Sequence, residues 1–217
     1  MSTRLDQATI DLLGVLAYGE LTAFERLASD GSLAPTIGDK HALASMAAAE
    51  FDHYRRLYEH MRSEGVDPEE AMAPFVAPLD AFHDSTPPNE WLEGLIKAYV
   101  GDGLATDFYR EVAVFVKDEP TRALILDVLA DTGQASFAVA KVTQATRDDP
   151  KVAGRLALWG RRLVGEALIQ AQRVAVERDA LTELLVGGSL DLAGIGRLLT
   201  RLTDNHTARM QALGLQA

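Results

Sequence analysis

The stretch Met46–Leu57, MAAAEFDHYRRL, decides how this chain is read. Leu43, Met46, Glu50, His53 and Leu57 follow one another at steps of three and four, which is the inward stripe of a helix. Residues three apart share a helix face, so Glu50 and His53 are presented together toward what the neighbouring leucines mark as a core. A buried carboxylate is unfavourable unless it is paired, protonated or bound to a metal. The stretch therefore asks whether other helices bring matching groups to the same level.

Three of them do so by spacing. Upstream, Leu13, Leu16, Glu20, Ala23 and Leu27 step by three and four with Glu20 in the middle. Downstream, WLEGLIKAYVGDGLATDFYREVAVFV is apolar on nearly all sides, as for a helix covered by several neighbours, and contains Asp102, Asp107 and Glu111. Next, VLADTGQASFAV carries Asp131 and Gln134 three apart. Glu20 and Glu50 lie 30 residues apart, Asp102 and Asp131 lie 29 apart, and each pair is followed three residues later by His53 or Gln134. This is the pattern of a duplicated helical hairpin. It predicts that Glu20, Glu50, Asp102 and Asp131 converge on one interior point.

Helical spacing recurs along the whole chain and no alternating strand pattern interrupts it. Six helices are expected, over about Leu5–Ser29, Thr36–Glu64, Pro88–Val116, Pro120–Arg147, Lys151–Leu185 and Asp191–Leu213. Short links make the first and second helices, and the third and fourth, antiparallel neighbours. Between the second and third lies GVDPEEAMAPFVAPLDAFHDSTPP with its five prolines, a connection long enough to run the length of a bundle. Two hairpins joined by one crossover give an all-α, ferritin-like four-helix bundle. The expectation is one domain over residues 1–217, with the bundle in 1–148 and two added C-terminal helices in 149–217.

Bulk properties narrow the chemistry. Of 217 residues, 47% are apolar and 24% charged, in the range of globular proteins. No apolar run approaches the roughly 20 residues of a membrane helix, and the N-terminus lacks a secretory layout, so a cytoplasmic, non-membrane protein is expected. Cysteine is absent, which excludes disulfides and thiolate metal sites. A metal would need carboxylate and imidazole ligands, the donors of iron, manganese or zinc. Residues 1–150 hold 26 acidic against 12 basic side chains, whereas residues 151–217 hold 6 against 9. An acidic body of this kind repels phosphate backbones at long range.

The stretches AYGELTAFERLA, MAAAEFDHY, EEAMAPFVAPLDAFH, WLEGLIKAYVGDG, LADTG and GRLALWGRRLVGEAL resemble an actinobacterial ferritin-like family related to MiaE, the tRNA 2-methylthio-N6-isopentenyladenosine hydroxylase. They cover most of the chain to about residue 185. The resemblance implies a di-iron, oxygen-dependent hydroxylase, an electron-donating reductase as partner, and tRNA as substrate by family analogy. Carried over position by position, Glu20 and Glu50 with His53 match one half of a di-iron site. Asp102 and Asp131 stand where the family has glutamates, and Gln134 stands where it has the second histidine. Asp is one methylene shorter than Glu, and a neutral amide is a much weaker ligand than imidazole, so one metal or none is an alternative to two.

Other residues have plainer readings. Asp107 and Glu111 are alternative ligands to Asp102, but a salt-bridged or solvent-facing edge near Arg110 is the favoured reading. Tyr18, Tyr54, Tyr99 and Tyr109 read as core aromatics that could line an oxygen-activating site. His206, among Ile195, Leu199, Leu202 and Met210, reads as a packed histidine. The stripe Leu156, Trp159, Leu163, Ala167, Gln170, Val174 and Leu181 exceeds what four helices require, and is expected to wrap the bundle and to offer a homodimer face. Two functions remain open: the hydroxylase, and a degenerate ferritin-like module with a structural, interaction or regulatory role.

Overall fold

The computed structural model describes residues 5–130, 134–187 and 192–217. Among them the chain forms nine α-helices, one turn of 3-10 helix and no strand, which bears out the all-α expectation. The first hairpin is α1 (Gln7–Asp30) and α2 (Ile37–Ser63), joined through the 3-10 turn Gly31–Leu33. Asp6 caps α1 by accepting from the Thr9 amide, and Thr36 caps α2 by accepting from the Asp39 amide. These caps satisfy backbone donors that a helix start leaves free.

The crossover is itself a helix, α3 (Pro68–Ser85). Asp67 is its cap, Pro68 fills the first turn where no amide is needed, and Glu69 and Glu70 face the positive end of the helix dipole. Read as a connection because of its prolines, the segment instead tolerates Pro74 and Pro78 within the helix. Ala71, Met72, Phe75 and Pro78 form its buried stripe. The third rod is α4 (Trp91–Ala113). The fourth, expected as one helix to Arg147, is two: α5 (Glu119–Val128) and α6 (Gln134–Asp148). The expected fifth helix likewise divides into α7 (Pro150–Glu177) and α8 (Asp179–Gly187), and α9 (Leu192–Ala212) ends the fold.

The core has two apolar clusters. One gathers Leu12, Leu13 and Leu16 of α1, Leu57 and Met61 of α2, Val112 and Ala113 of α4, and Ile125 and Val128 of α5. The other gathers Leu27, Leu43 and Ala47, then Leu95, Ile96 and Val100 of α4, and Ala138 and Val142 of α6. Residue numbers rise from the first cluster to the second along α1 and along α5–α6, and fall along α2 and α4. The second and third rods are therefore parallel, and only a crossover can join them. With 18 residues, α3 spans about 27 Å. It returns from the first cluster, through Met72 and Phe75, to the second, at Phe82.

The C-terminal helices pack onto this bundle. α7 and α9 lie against α4, and α7 also against α3. The Trp159 indole N–H donates to the Glu93 carbonyl at 2.9 Å, and Arg178 forms an ion pair with the buried Asp11 of α1. Among the described residues no helix is long and apolar enough to cross a membrane.

Helix α3 comes so close to α1 that a Cβ on Gly14 would lie 2.1 Å from the Ala71 carbonyl oxygen. Backbone cannot yield as a side chain can, so Gly14→Ala is expected to destabilise by about 2 kcal/mol through forced separation of the two helices. Gly101→Ala, where a Cβ meets nothing within 4 Å, is expected to be neutral or slightly stabilising. Denaturant unfolding of the two variants checks this pair of outcomes.

Candidate metal centre

Between the two apolar clusters lies a polar layer. Along α1 the break falls at Glu20 and along α2 at Glu50 and His53. Along α4 it spans Asp102–Thr106, and in the fourth rod it falls at the α5–α6 junction. Glu20 and Glu50 are buried, and the His53 side chain is only 12% exposed. His53 Nδ1 is 3.3 Å from Glu20 Oε2 and 3.7 Å from Glu50 Oε2. One ligand atom from each of the three lies within 4.8 Å of the others. Two carboxylate oxygens and one imidazole nitrogen, facing one another in a poorly solvated place, can hold a divalent transition ion.

The electrostatics of the cluster follow from its burial. Desolvation pushes Glu20 well above the usual carboxylate range, and the adjacent Glu50 carboxyl adds to this while His53 opposes it. Hydrogen bonding to Glu20 and then to Glu50 raises His53 to about 10. Without a metal the cluster thus retains protons that an unfolded chain would release. Above it, the Tyr109 phenol is raised by burial and by the Glu20 charge.

The triad opens into a cavity of about 250 Å³. Met46, Leu95 and Phe137 form apolar walls, with Tyr99 and Thr106 among them. Asp102 also lines it, but is solvent-exposed and stands apart from the three-residue cluster. The structure brings Glu20, Glu50 and His53 together, and places Asp102 on the exposed lining of the same cavity, outside that cluster. Asp131 lies outside the described residues. Gln134 opens α6, and its side chain is outside them as well.

Asp107 and Glu111 are salt-bridged, as favoured, but their partners come from α9 rather than from Arg110. Arg209 Nη2 donates to Asp107 at 2.7 Å, Asn205 donates to the same oxygen at 3.0 Å, and Arg201 grips Glu111 with two bonds of 2.7 Å. Arg110 instead donates to the Leu129 carbonyl at 2.6 Å, a group left free where α5 ends. Of the tyrosines, Tyr99 lines the cavity, while Tyr18 donates to Asp80 at 2.8 Å. His206 is buried, as expected of a packed histidine.

Arg209 is the cavity residue that sequence reasoning missed. Its signal was present as a matched spacing of four: Arg201, Asn205 and Arg209 on one helix against Glu111, Asp107 and Gly103 on another.

A family model for the ferritin-like domain of actinomycetes matches residues 3–188. The chain belongs to this actinomycete ferritin-like family. No curated protein matches it. Membership accounts for the ferritin-like bundle. The match stops at residue 188, short of α9, which supplies Arg209 to the ferritin-like core.

The raised His53 has a measurable consequence. Its folded value of about 10 lies above the ordinary 6.5, so its contribution to stability is fully present below pH 6.5 and is lost as pH rises through 10. The shift of Glu20 has the same sign. In chelator-treated protein, Tm is expected to fall progressively between pH 6.5 and 10. The slope should be shallower in His53→Gln. Thermal melts across this range check both statements.

Proposed function

We propose that the protein binds iron through Glu20, Glu50 and His53 and acts as an oxygen-dependent hydroxylase on a substrate held in the adjoining cavity. The observation that carries this is the buried Glu–Glu–His cluster at the level where a ferritin-like bundle holds metal. The donor set fits one ion: three groups of opposite charge or lone-pair character, already mutually oriented and shielded from water. Bound iron would supply the redox chemistry of oxygen activation, with electrons from an external reductase.

The chain's own residues would do the rest. Glu20 and Glu50 would neutralise the ion's charge and fix its place. His53, oriented by Glu20, would present a ring nitrogen after giving up its proton. Met46, Leu95 and Phe137 would hold an apolar portion of the substrate beside the ion and exclude water. The resemblance to MiaE points to tRNA, but the acidic body favours a smaller substrate that can enter a cavity of this size.

Under anaerobic conditions Fe(II) or Mn(II) at about 100 times Kd is expected to add about 2.7 kcal/mol of stability and to raise Tm by several degrees. Glu50→Ala and His53→Ala are each expected to abolish the shift. A Tm indifferent to both ions, with no metal found by elemental analysis, would support the degenerate module instead.

We also propose a homodimer through the outer face of α7. Leu158, Ile169 and Val176 are exposed there, and steps of 11 and 7 return to one side of a helix. Sedimentation should report a dimer that Ile169→Glu converts to monomer, with helicity unchanged.

A further inference from the structure

We infer that the bundle centre takes one metal ion, and that the guanidinium of Arg209 occupies the role of the second cation. This rests on the metal reading above and goes beyond it. In a two-ion carboxylate centre, acidic groups of all four rods are neutralised by the two ions. Here Asp107 on the α4 wall of the cavity is already neutralised by protein. Asp107 is bound by Arg209 and Asn205, and Asp102 stands exposed at the rim. Among the described residues, the group able to surround an ion is Glu20, Glu50 and His53.

Arg209 is built into this position. A Cβ on residue 103 would lie 2.7 Å from its Cδ and 2.8 Å from its Nε, so glycine there lets the arm lie flat against α4. The Nε is buried without a hydrogen-bond partner, and the side chain is 14% exposed. Helix α9 is held on both sides of it: Arg201 pairs with Glu111, and the Met210 thioether packs over Gly160, where a Cβ would lie 2.5 Å from its Cε. A guanidinium does not lose its charge in a protein, so the Arg209–Asp107 pair lines the same cavity as the triad with its charge balance fixed by protein. A second divalent ion would have to displace it or sit against it in a place where charges are poorly screened. The cation that α9 delivers is permanent, needs no loading from solution, and leaves one exchangeable position.

The test is metal counting. Protein loaded anaerobically with Fe(II), or with Mn(II) as a redox-inert probe, is desalted and analysed for metal per chain. Wild type is expected to retain about one ion. Arg209→Met keeps length and packing while removing the charge, and should tighten the Kd of the first ion by about tenfold through lost repulsion. Arg209→Lys keeps the charge and should match wild type. Two ions per wild-type chain would overturn this inference while leaving the metal reading intact. An unchanged Kd in Arg209→Met would remove Arg209 from its assigned role. No ion in any of the proteins would overturn the metal reading and this inference together. The wild-type count decides the one-ion claim whether or not a variant folds.

Discussion

Everything in this bundle is arranged around the burial of Glu20 and Glu50 against His53. Two carboxylates removed from water at close range repel each other and lose hydration, a cost of several kcal/mol that the protein offsets locally or elsewhere. Locally, the imidazole at 3.3 Å from Glu20 supplies a countercharge, and retained protons remove part of the repulsion. Elsewhere, the apolar clusters above and below supply the stabilisation that lets a polar layer persist between them. The layer divides the core, and every rod that crosses it changes character there. In the fourth rod it coincides with the end of one helix, and Arg110 from α4 satisfies the carbonyl released at Leu129.

Such a layer also fixes register. Apolar side chains can slide past one another by a turn at modest cost, whereas a buried acid cannot be moved away from its imidazole partner without being left uncompensated. Glu20 and Glu50 thus lock α1 against α2, and Gly14 against the Ala71 backbone sets how closely the crossover lies on that pair. The cluster that costs stability therefore contributes to the uniqueness of the fold, with or without an ion.

How much of this could be read from sequence depends on which physical signal each part left. The triad was legible because its members occupy stripe positions among leucines, where a charged residue contradicts its surroundings. The parallel second and third rods were legible from the length of their connection. The helix within that connection was not: Pro74 and Pro78 signal breakage, and the buried stripe Ala71, Met72, Phe75 outweighs them only once α1 is there to receive it. The exposed position of Asp102 on the cavity lining left no trace, because α4 is apolar on nearly all sides and periodicity gave no inward direction. Arg209 left its trace in pairing across 100 residues of chain, which a single helix pattern does not reveal.

The position of Arg209 bears on how a ferritin-like bundle changes its chemistry. Losing ligands on the α4 side would by itself leave Asp107 as an unbalanced charge on the cavity wall. In this chain α9, which lies outside the matched region, brings an arginine to Asp107, and glycine at 103 leaves room for its side chain. The same two features shape the space beside the triad, where the guanidinium and its salt bridge present fixed donors. With a metal held at the triad, the cavity would be polarised across its width. A substrate would be ordered there, because a polar end would be drawn toward one wall and an apolar end toward Leu95 and Phe137. Orientation of that kind requires the α9 contacts to be made before any substrate arrives, and the bidentate pairing of Arg201 with Glu111 holds the helix in place for it.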